Sequence, residues 1–393
     1  MTAKQQDNSP QPSPNPLPQP AVIPAQSAPE PQGKSALNPS EAKPSAGHAE
    51  PILSAYRRMM ARRAAIVLAL AVLCVAAFVL DLVTGPSALT PLQVLTGLVS
   101  PDSLSAPQAA IVWQVRLPYA LMAVLVGAAL SLAGAEMQTI LNNPLASPFT
   151  LGVSSAASFG AALAIVLGFS LPFIPADWMV PLNAFVCAFG SVLLLQLMTR
   201  RRGAGVETVV LLGIALVFAF NALVAFVQFI SSQEALQQLV FWSMGSLSRA
   251  TWSNVAVLAI VLAAVVPFSL HASGKLTSLR LGEDRARSFG VNVPRLRFMS
   301  LLRVSLLAAT AVAFVGTIGF IGLVGPHVAR LLLGEDHRFL LPASLLTGAL
   351  IMSLASVASK TLVPGVLMPV GIVTAIVGVP MFLFLIFRRS ERS

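Results

Sequence analysis

The chain has 393 residues, 56% of them apolar and 10% charged, with a mean hydropathy of +0.80 and a net charge of +10. That composition excludes a soluble domain of this length, because several runs are long and apolar enough to span a bilayer core. The positive balance does not point to nucleic acid, since the basic residues flank apolar runs and form no patch interleaved with aromatics. Anionic lipid of the inner leaflet is the fitting counter-surface.

Residues 1–51 hold 12 prolines among Gln, Ser and Ala, with few large apolar side chains. Such a segment cannot bury enough surface to offset its ordering entropy, so a disordered cytoplasmic tail is expected over 1–56. It has no apolar h-region behind a short basic start and does not read as a signal peptide. Arg57, Arg58, Arg62 and Arg63 then precede an apolar run at 64–83, which should enter the membrane from the cytoplasmic side. Further runs lie at 118–141, 152–172, 179–199, 206–230 and 252–271, followed by 299–333, 339–358 and 366–387. The run at 299–333 would rise about 52 Å as one helix, too far for one span without steep tilt. Gly316, Gly319, Gly322 and Gly325, followed by Pro326, supply break points. Dividing it gives about ten transmembrane helices, an all-α polytopic protein whose permease domain covers 57–390.

Charge sets the orientation. Of 25 Lys and Arg, 22 fall at 1–63, 200–202, 271–303, 330–338 and 388–393; Arg116, Arg249 and Lys360 stand apart. Cytoplasmic loops retain Lys and Arg, so ten spans put both termini in the cytoplasm. Cys74 and Cys187 sit inside apolar runs without metal-ligand or redox spacing and read as small hydrophobes. No Walker A string, HExxH or GxSxG occurs, so no enzyme activity, metal or cofactor is expected. ATP-driven transport would need a separate ATPase.

Within the second span, Gly127, Ser131 and Ala135 stack small side chains at four-residue spacing, a device for close helix packing. Glu136 follows them. An intramembrane carboxylate is a functional suspect: it could serve as a proton relay, for which no partner is visible, or else it snorkels or accepts a hydrogen bond from a neighbouring helix. Asn221 and Gln228, seven residues apart, share one helix face. They line a polar pathway or join helices by hydrogen bonds.

Three blocks carry a resemblance: RLPYALMAVLVGAALSLAGAEMQTILNNPLASPFTLGVSSAASFGAAL at 116–163, LGEDRARSFGVNV at 281–293, and GTIGFIGLVGPHVARLLLGEDHRFLLPASLLTGA at 316–349, continued by MPVGIVTAIVGVPMFLFLI at 368–386. In order and spacing they resemble the permease subunit of ABC importers for iron chelates, haem and cobalamin, the FecCD-type family. The resemblance runs from about 64 to 387. It implies ten helices, a homodimer or close heterodimer with the path along its interface, two cytoplasmic ATPase subunits, a periplasmic binding protein, and residence in the bacterial inner membrane. An iron-siderophore is the substrate class it ranks first.

The same resemblance assigns sites. The cytoplasmic stretch 271–298 matches the ATPase-coupling segment. There Gly282 and Gly290 would bound a short helix carrying Glu283, Arg285, Ala286 and Arg287. A solvated charged loop is the plainer reading. Arg116, Tyr119 and Lys360 match positions that meet carboxylates on the binding protein, with Tyr119 standing where the family has a second Arg; anchoring at the lipid interface is the alternative. Asn143, Pro144 and Leu145 match the loop that narrows the inner end of the path, although Pro144 and Pro148 would end a helix there without any further role. The sequence departs from the family at Asn142 (usually Arg), Ser356 (usually acidic), Leu367 (usually Glu) and Met368 (usually Leu). The rival to an importer is an ion-coupled secondary transporter with Glu136 as its proton site.

Overall fold

The computed structural model describes residues 46–390 except 88, 170–173 and 202–205. The expected disorder of the first 45 residues lies outside the described residues. The first helix, α1 (Ala46–Val83), begins inside the segment read from sequence as tail. Residues Met1–Ala55 and Tyr56–Ser393 are separate units. Beyond Val83 lie α2 (Pro91–Val99), α3 (Ala106–Ala110) and a π-helical turn at Ile111–Arg116 that runs into α4 (Leu117–Ile140). Next are α5 (Val153–Leu167), α6 (Ala176–Arg201), α7 (Val206–Phe229), α8 (Gln233–Ser243) and α9 (Trp252–His271). The stretch that follows contains α10 (Ser273–Arg280) and α11 (Glu283–Ser288). The chain closes with α12 (Val293–Val315), α13 (Ile321–Leu333), α14 (His337–Thr361) and α15 (Val370–Ser390). Among the described residues there is no strand.

Seven helices are long and apolar enough to cross a bilayer: those at 54–83, 106–140, 176–199, 206–229, 252–271, 293–315 and 337–361. Three shorter apolar helices, Val153–Leu167, Ile321–Leu333 and Val370–Leu383, accompany them. The long run at 299–333 is broken as expected: α12 stops at Gly316, whose φ of +78° suits glycine. A side chain there would also strike the Trp242 carbonyl, since an added Cβ would lie 2.2 Å from its oxygen.

The centre of the bundle is α4. Its most apolar stretch is 78% buried, against 11% for α7. Close approach explains its small residues. A Cβ on Gly134 would lie 1.9 Å from the Gly322 carbonyl oxygen on α13, and one on Gly127 2.3 Å from that of Gly348 on α14. Ser131 donates to the Ser344 carbonyl at 2.5 Å, so the 127/131 stripe read from sequence is the α4–α14 seam. Polar contacts of this kind and tight packing hold helices together where lipid removes the hydrophobic drive.

Candidate functional site

The side chains of the three residues expected to meet a binding protein are all buried. Arg116 donates from Nη1 to the carbonyls of Leu82 (3.2 Å) and Val83 (2.9 Å) and from Nη2 to Ser87 Oγ (2.7 Å). Lys360 donates from Nζ to the Asp81 carbonyl and to Asp81 Oδ1, each at 2.8 Å. Both cations thus satisfy the last carbonyls of α1, where helix geometry leaves acceptors without partners and the helix dipole is negative. Tyr119 lies beneath: Lys360 Nζ is 4.4 Å from its ring centre, and its hydroxyl is 3.3 Å from Ser359 Oγ. Heads expected to face a partner therefore face inward, because the carbonyls closing α1 need them. Ser356, where the resemblance leads one to expect an acid, donates to Asp81 Oδ1 at 2.5 Å, so α1 delivers a carboxylate to that place. The third solitary cation, Arg249, donates to the Trp242 carbonyl at 3.4 Å, and burial pushes its guanidinium down to about 10.

Deeper in the bundle, the missing partner of Glu136 is Arg303 on α12. Nε lies 3.0 and 3.1 Å from the two carboxylate oxygens, and Nη2 2.6 Å from Oε2. Sequence grouped Arg303 with the cytoplasmic charges, so the pairing was invisible there. Both oxygens of Glu136 are committed to the clamp, which ties α4 to α12.

The turn expected to narrow the path follows α4 directly. Leu145 N donates to Asn143 Oδ1 at 2.9 Å and Ala146 N to the Asn143 carbonyl at 3.1 Å, so Asn143, Pro144 and Leu145 form a side-chain-closed turn. Asn142 precedes it with a φ of +45°, a left-handed conformation that Asn tolerates better than most residues. The Asn142 carboxamide accepts from Arg280 Nη1 at 2.9 Å. The Arg that the resemblance leads one to expect here would bring a second cation to that contact.

In the stretch expected to couple to an ATPase, Gly282 (φ +109°) and Gly290 (φ +77°) bracket α11. Ala286 is fully buried and fixes the helix to the subunit. Glu283 pairs with Arg297 and, at 3.3 Å, with Arg287; Arg285 has no such partner among the described residues and is exposed. Leu281 and Phe289, which sequence reasoning passed over, are exposed on either side of α11. Large apolar side chains at the edges of a charged loop were the available signal.

Next to it lies a charge cluster that sequence did not single out. Glu335 accepts from Arg280 at 2.9 Å and lies 3.1 Å from Arg330 Nε. Burial alone would raise its carboxyl, but the two guanidiniums outweigh that and hold it below the ordinary value. Asp336 receives Arg338 and Arg63, and the Arg338 hydrogen bond holds its carboxyl low. His337 bridges Thr139 (2.7 Å, Nε2) and Thr277 (3.2 Å, Nδ1), joining α4 to α10.

The pathway candidates Asn221 and Gln228 sit on α7, the span most exposed on this subunit. Asn221 is exposed and Gln228 half-buried, and neither amide has a hydrogen-bond partner among the described residues. An unpartnered amide facing hydrocarbon is costly, so this face calls for protein or water against it.

Comparison with known proteins agrees with this architecture. The FecCD transport family model matches residues 73–388. The hemin transport system permease protein HmuU of Yersinia pestis is 39% identical over 282 residues, covering 72% of this chain and 84% of that protein. The Fe(3+) dicitrate transport system permease protein FecD of Escherichia coli is 38% identical over 278 residues (71% and 85%). The vitamin B12 import system permease protein BtuC of Vibrio vulnificus is 34% identical over 290 residues (74% and 86%). A solved metal-chelate type ABC transporter in an inward-facing conformation superposes with a TM-score of 0.72 at 33% identity, covering 82% of this chain and 99% of that one. Matched along nearly all of its membrane-spanning length, the chain belongs to the FecCD transport family.

Proposed function

We propose that this chain is the membrane-spanning permease subunit of an ATP-binding-cassette importer that moves an iron chelate, first of all a ferric siderophore, from a periplasmic binding protein to the cytoplasm. Haem and cobalamin are the alternatives, since relatives named for hemin, ferric dicitrate and vitamin B12 are similarly close. The observation that carries the reading is α11: a short helix set off by two glycines, anchored through Ala286, with Leu281, Arg285 and Phe289 exposed around it. Apolar side chains beside a cation suit docking into a groove of a partner ATPase. On this reading the three short apolar helices cross the bilayer with the seven long ones, and ten spans would keep both termini on the cytoplasmic side of a bacterial inner membrane.

Two copies of the chain, or one with a close paralogue, would cover the exposed α7 face and put Asn221 and Gln228 on a shared path. The turn at Asn143, Pro144 and Leu145 would then close its inner end. Docking of the binding protein is assigned to the outer surface shaped by the Arg116 and Lys360 clamps, which position the end of α1 instead of gripping the partner. Against the ion-coupled rival stands the Glu136–Arg303 clamp, which leaves neither carboxylate oxygen free to exchange a proton along a path.

Purification from mild-detergent membranes tests the reading, with partners and stoichiometry determined by mass spectrometry. A Walker-type ATPase at one copy per copy of this chain is expected. A homo-oligomer free of any ATPase would overturn it.

A further inference from the structure

Two separate struts run from the ends of α11's approach to the end of α4. On one side is Arg280, the last residue of α10. Its Nη1 donates to Asn142 Oδ1 at 2.9 Å and its Nη2 to Glu335 Oε1 at 2.9 Å. On the other side Glu283, the first residue of α11, pairs with Arg297, whose Nε donates to the carbonyl of Ile140, the last residue of α4, at 3.1 Å. The inner turn at Asn143–Leu145 begins directly after these two attachment points.

The body of α4 cannot absorb a displacement arriving through these struts. Gly134 touches the Gly322 backbone, Glu136 is clamped by Arg303, Gln138 accepts from Arg330 at 3.0 Å, and Thr139 is bonded to His337. Packed seams of this kind shift between discrete arrangements and do not deform continuously. Residues 141–145 are the compliant part. Leu141 and Asn142 have left helical geometry, Asn142 at a positive φ, and Asn142 and Asn143 are exposed. A cavity of about 690 Å³ beside the second strut, lined by Ile140, Leu141, Glu283 and Arg297, gives that strut room to move.

We propose that Arg280 is a positioning residue that transmits motion of the coupling helix to the inner turn through Asn142, with Glu335 as its fixed post and the Glu283–Arg297–Ile140 strut as the second point of attachment. The inference rests on the permease reading. Movement of α11 by the ATPase pulls on both ends of a short lever, and the lever's output is the conformation of Asn142. The Asn142 backbone N–H bonds within the turn to the Thr139 carbonyl at 3.1 Å, and one charge-assisted hydrogen bond ties its side chain to α10, so loss of that bond frees the turn from the helix that drives it.

The test uses the complete complex with its ATPase in lipid nanodiscs, on a Cys74→Ala, Cys187→Ala background carrying Leu145→Cys. The readout is the rate of maleimide labelling at residue 145, nucleotide-free against vanadate-trapped, recorded together with ATP hydrolysis. In the parent complex trapping should change the labelling rate about tenfold, the effect of one charge-assisted hydrogen bond on a two-state turn. Arg280→Ala and Asn142→Ala should each abolish that change while hydrolysis stays within about twofold, and the double variant should be no worse than either. Asn142→Asp, which keeps the acceptor, should retain the response. Arg338→Ala, an exposed cation outside both struts, should leave both readouts unchanged.

An Arg280→Ala complex whose labelling still responds to trapping like the parent overturns the inference. So does one in which hydrolysis and response fall in proportion, because that marks a structural loss and not uncoupling. A parent chain that assembles with no ATPase overturns the permease reading itself, and the strut mechanism with it.

Discussion

Glu136→Gln separates a structural clamp from a proton site. Glu136 is 1% exposed and Arg303 13%, and three nitrogen–oxygen distances between 2.6 and 3.1 Å join them. Removing one partner of a buried pair leaves the other charged, desolvated and unpaired, which costs about 3–5 kcal/mol. Gln keeps one acceptor oxygen, and Ser300 Oγ still receives Arg303 Nη2 at 2.8 Å, so the lower end of that range applies. At about 2 °C per kcal/mol for a chain of this size, the unfolding midpoint of the solubilised subunit should fall by about 6 °C. Glu136→Leu with Arg303→Leu removes both charges together, and its midpoint should lie within about 2 °C of the parent. The assay is thermal unfolding followed by intrinsic fluorescence and by loss of the monodisperse chromatographic peak. An unchanged midpoint in Glu136→Gln would refute the clamp. Transport abolished in a Glu136→Gln variant of unchanged stability would hand the carboxylate back to proton coupling.

Gly134→Ala should prevent recovery of folded subunit, since its Cβ would sit 1.9 Å from the rigid Gly322 carbonyl; a monodisperse variant of normal midpoint would contradict the α4–α13 seam. Asp81→Asn should destabilise through the buried ammonium of Lys360, and adding Ser356→Asp, 2.5 Å from the lost carboxylate oxygen, should restore part of the loss. A double variant less stable than Asp81→Asn would show that residue 356 cannot host the acid. Glu335 and Asp336 are held below their ordinary values of 4.5 and 3.8. A depressed carboxyl contributes stability that is complete above its unfolded value and lost as pH falls through the folded one. Midpoints should thus be insensitive to these groups between pH 7 and about 5 and fall below about pH 4, with a shallower fall in Glu335→Gln. An equal acid slope in that variant would remove Glu335 from the account.

Much of this molecule is local and therefore readable along the chain. Spans follow from apolar runs matched to a bilayer thickness, so α4 at Leu117–Ile140 and α7 at Val206–Phe229 fall within a few residues of the runs at 118–141 and 206–230. The interruption at Gly316 and the glycines at 282 and 290 were visible for the same reason: a positive φ is a property of one residue and its substituent. The motif blocks carried the family. What tertiary structure decided was partnership. Arg303 lies 167 positions from Glu136, Lys360 279 from Asp81, and Arg280 138 from Asn142. Sequence displays a charge but not the helix that will pack against it, and an Arg at the end of an apolar run looks alike whether it reaches for lipid, a partner protein or a helix's own carbonyls. Arg116 and Lys360 were read as outward because charge parity puts them on the outer side. They point inward because α1 ends there with carbonyls that no backbone donor can satisfy.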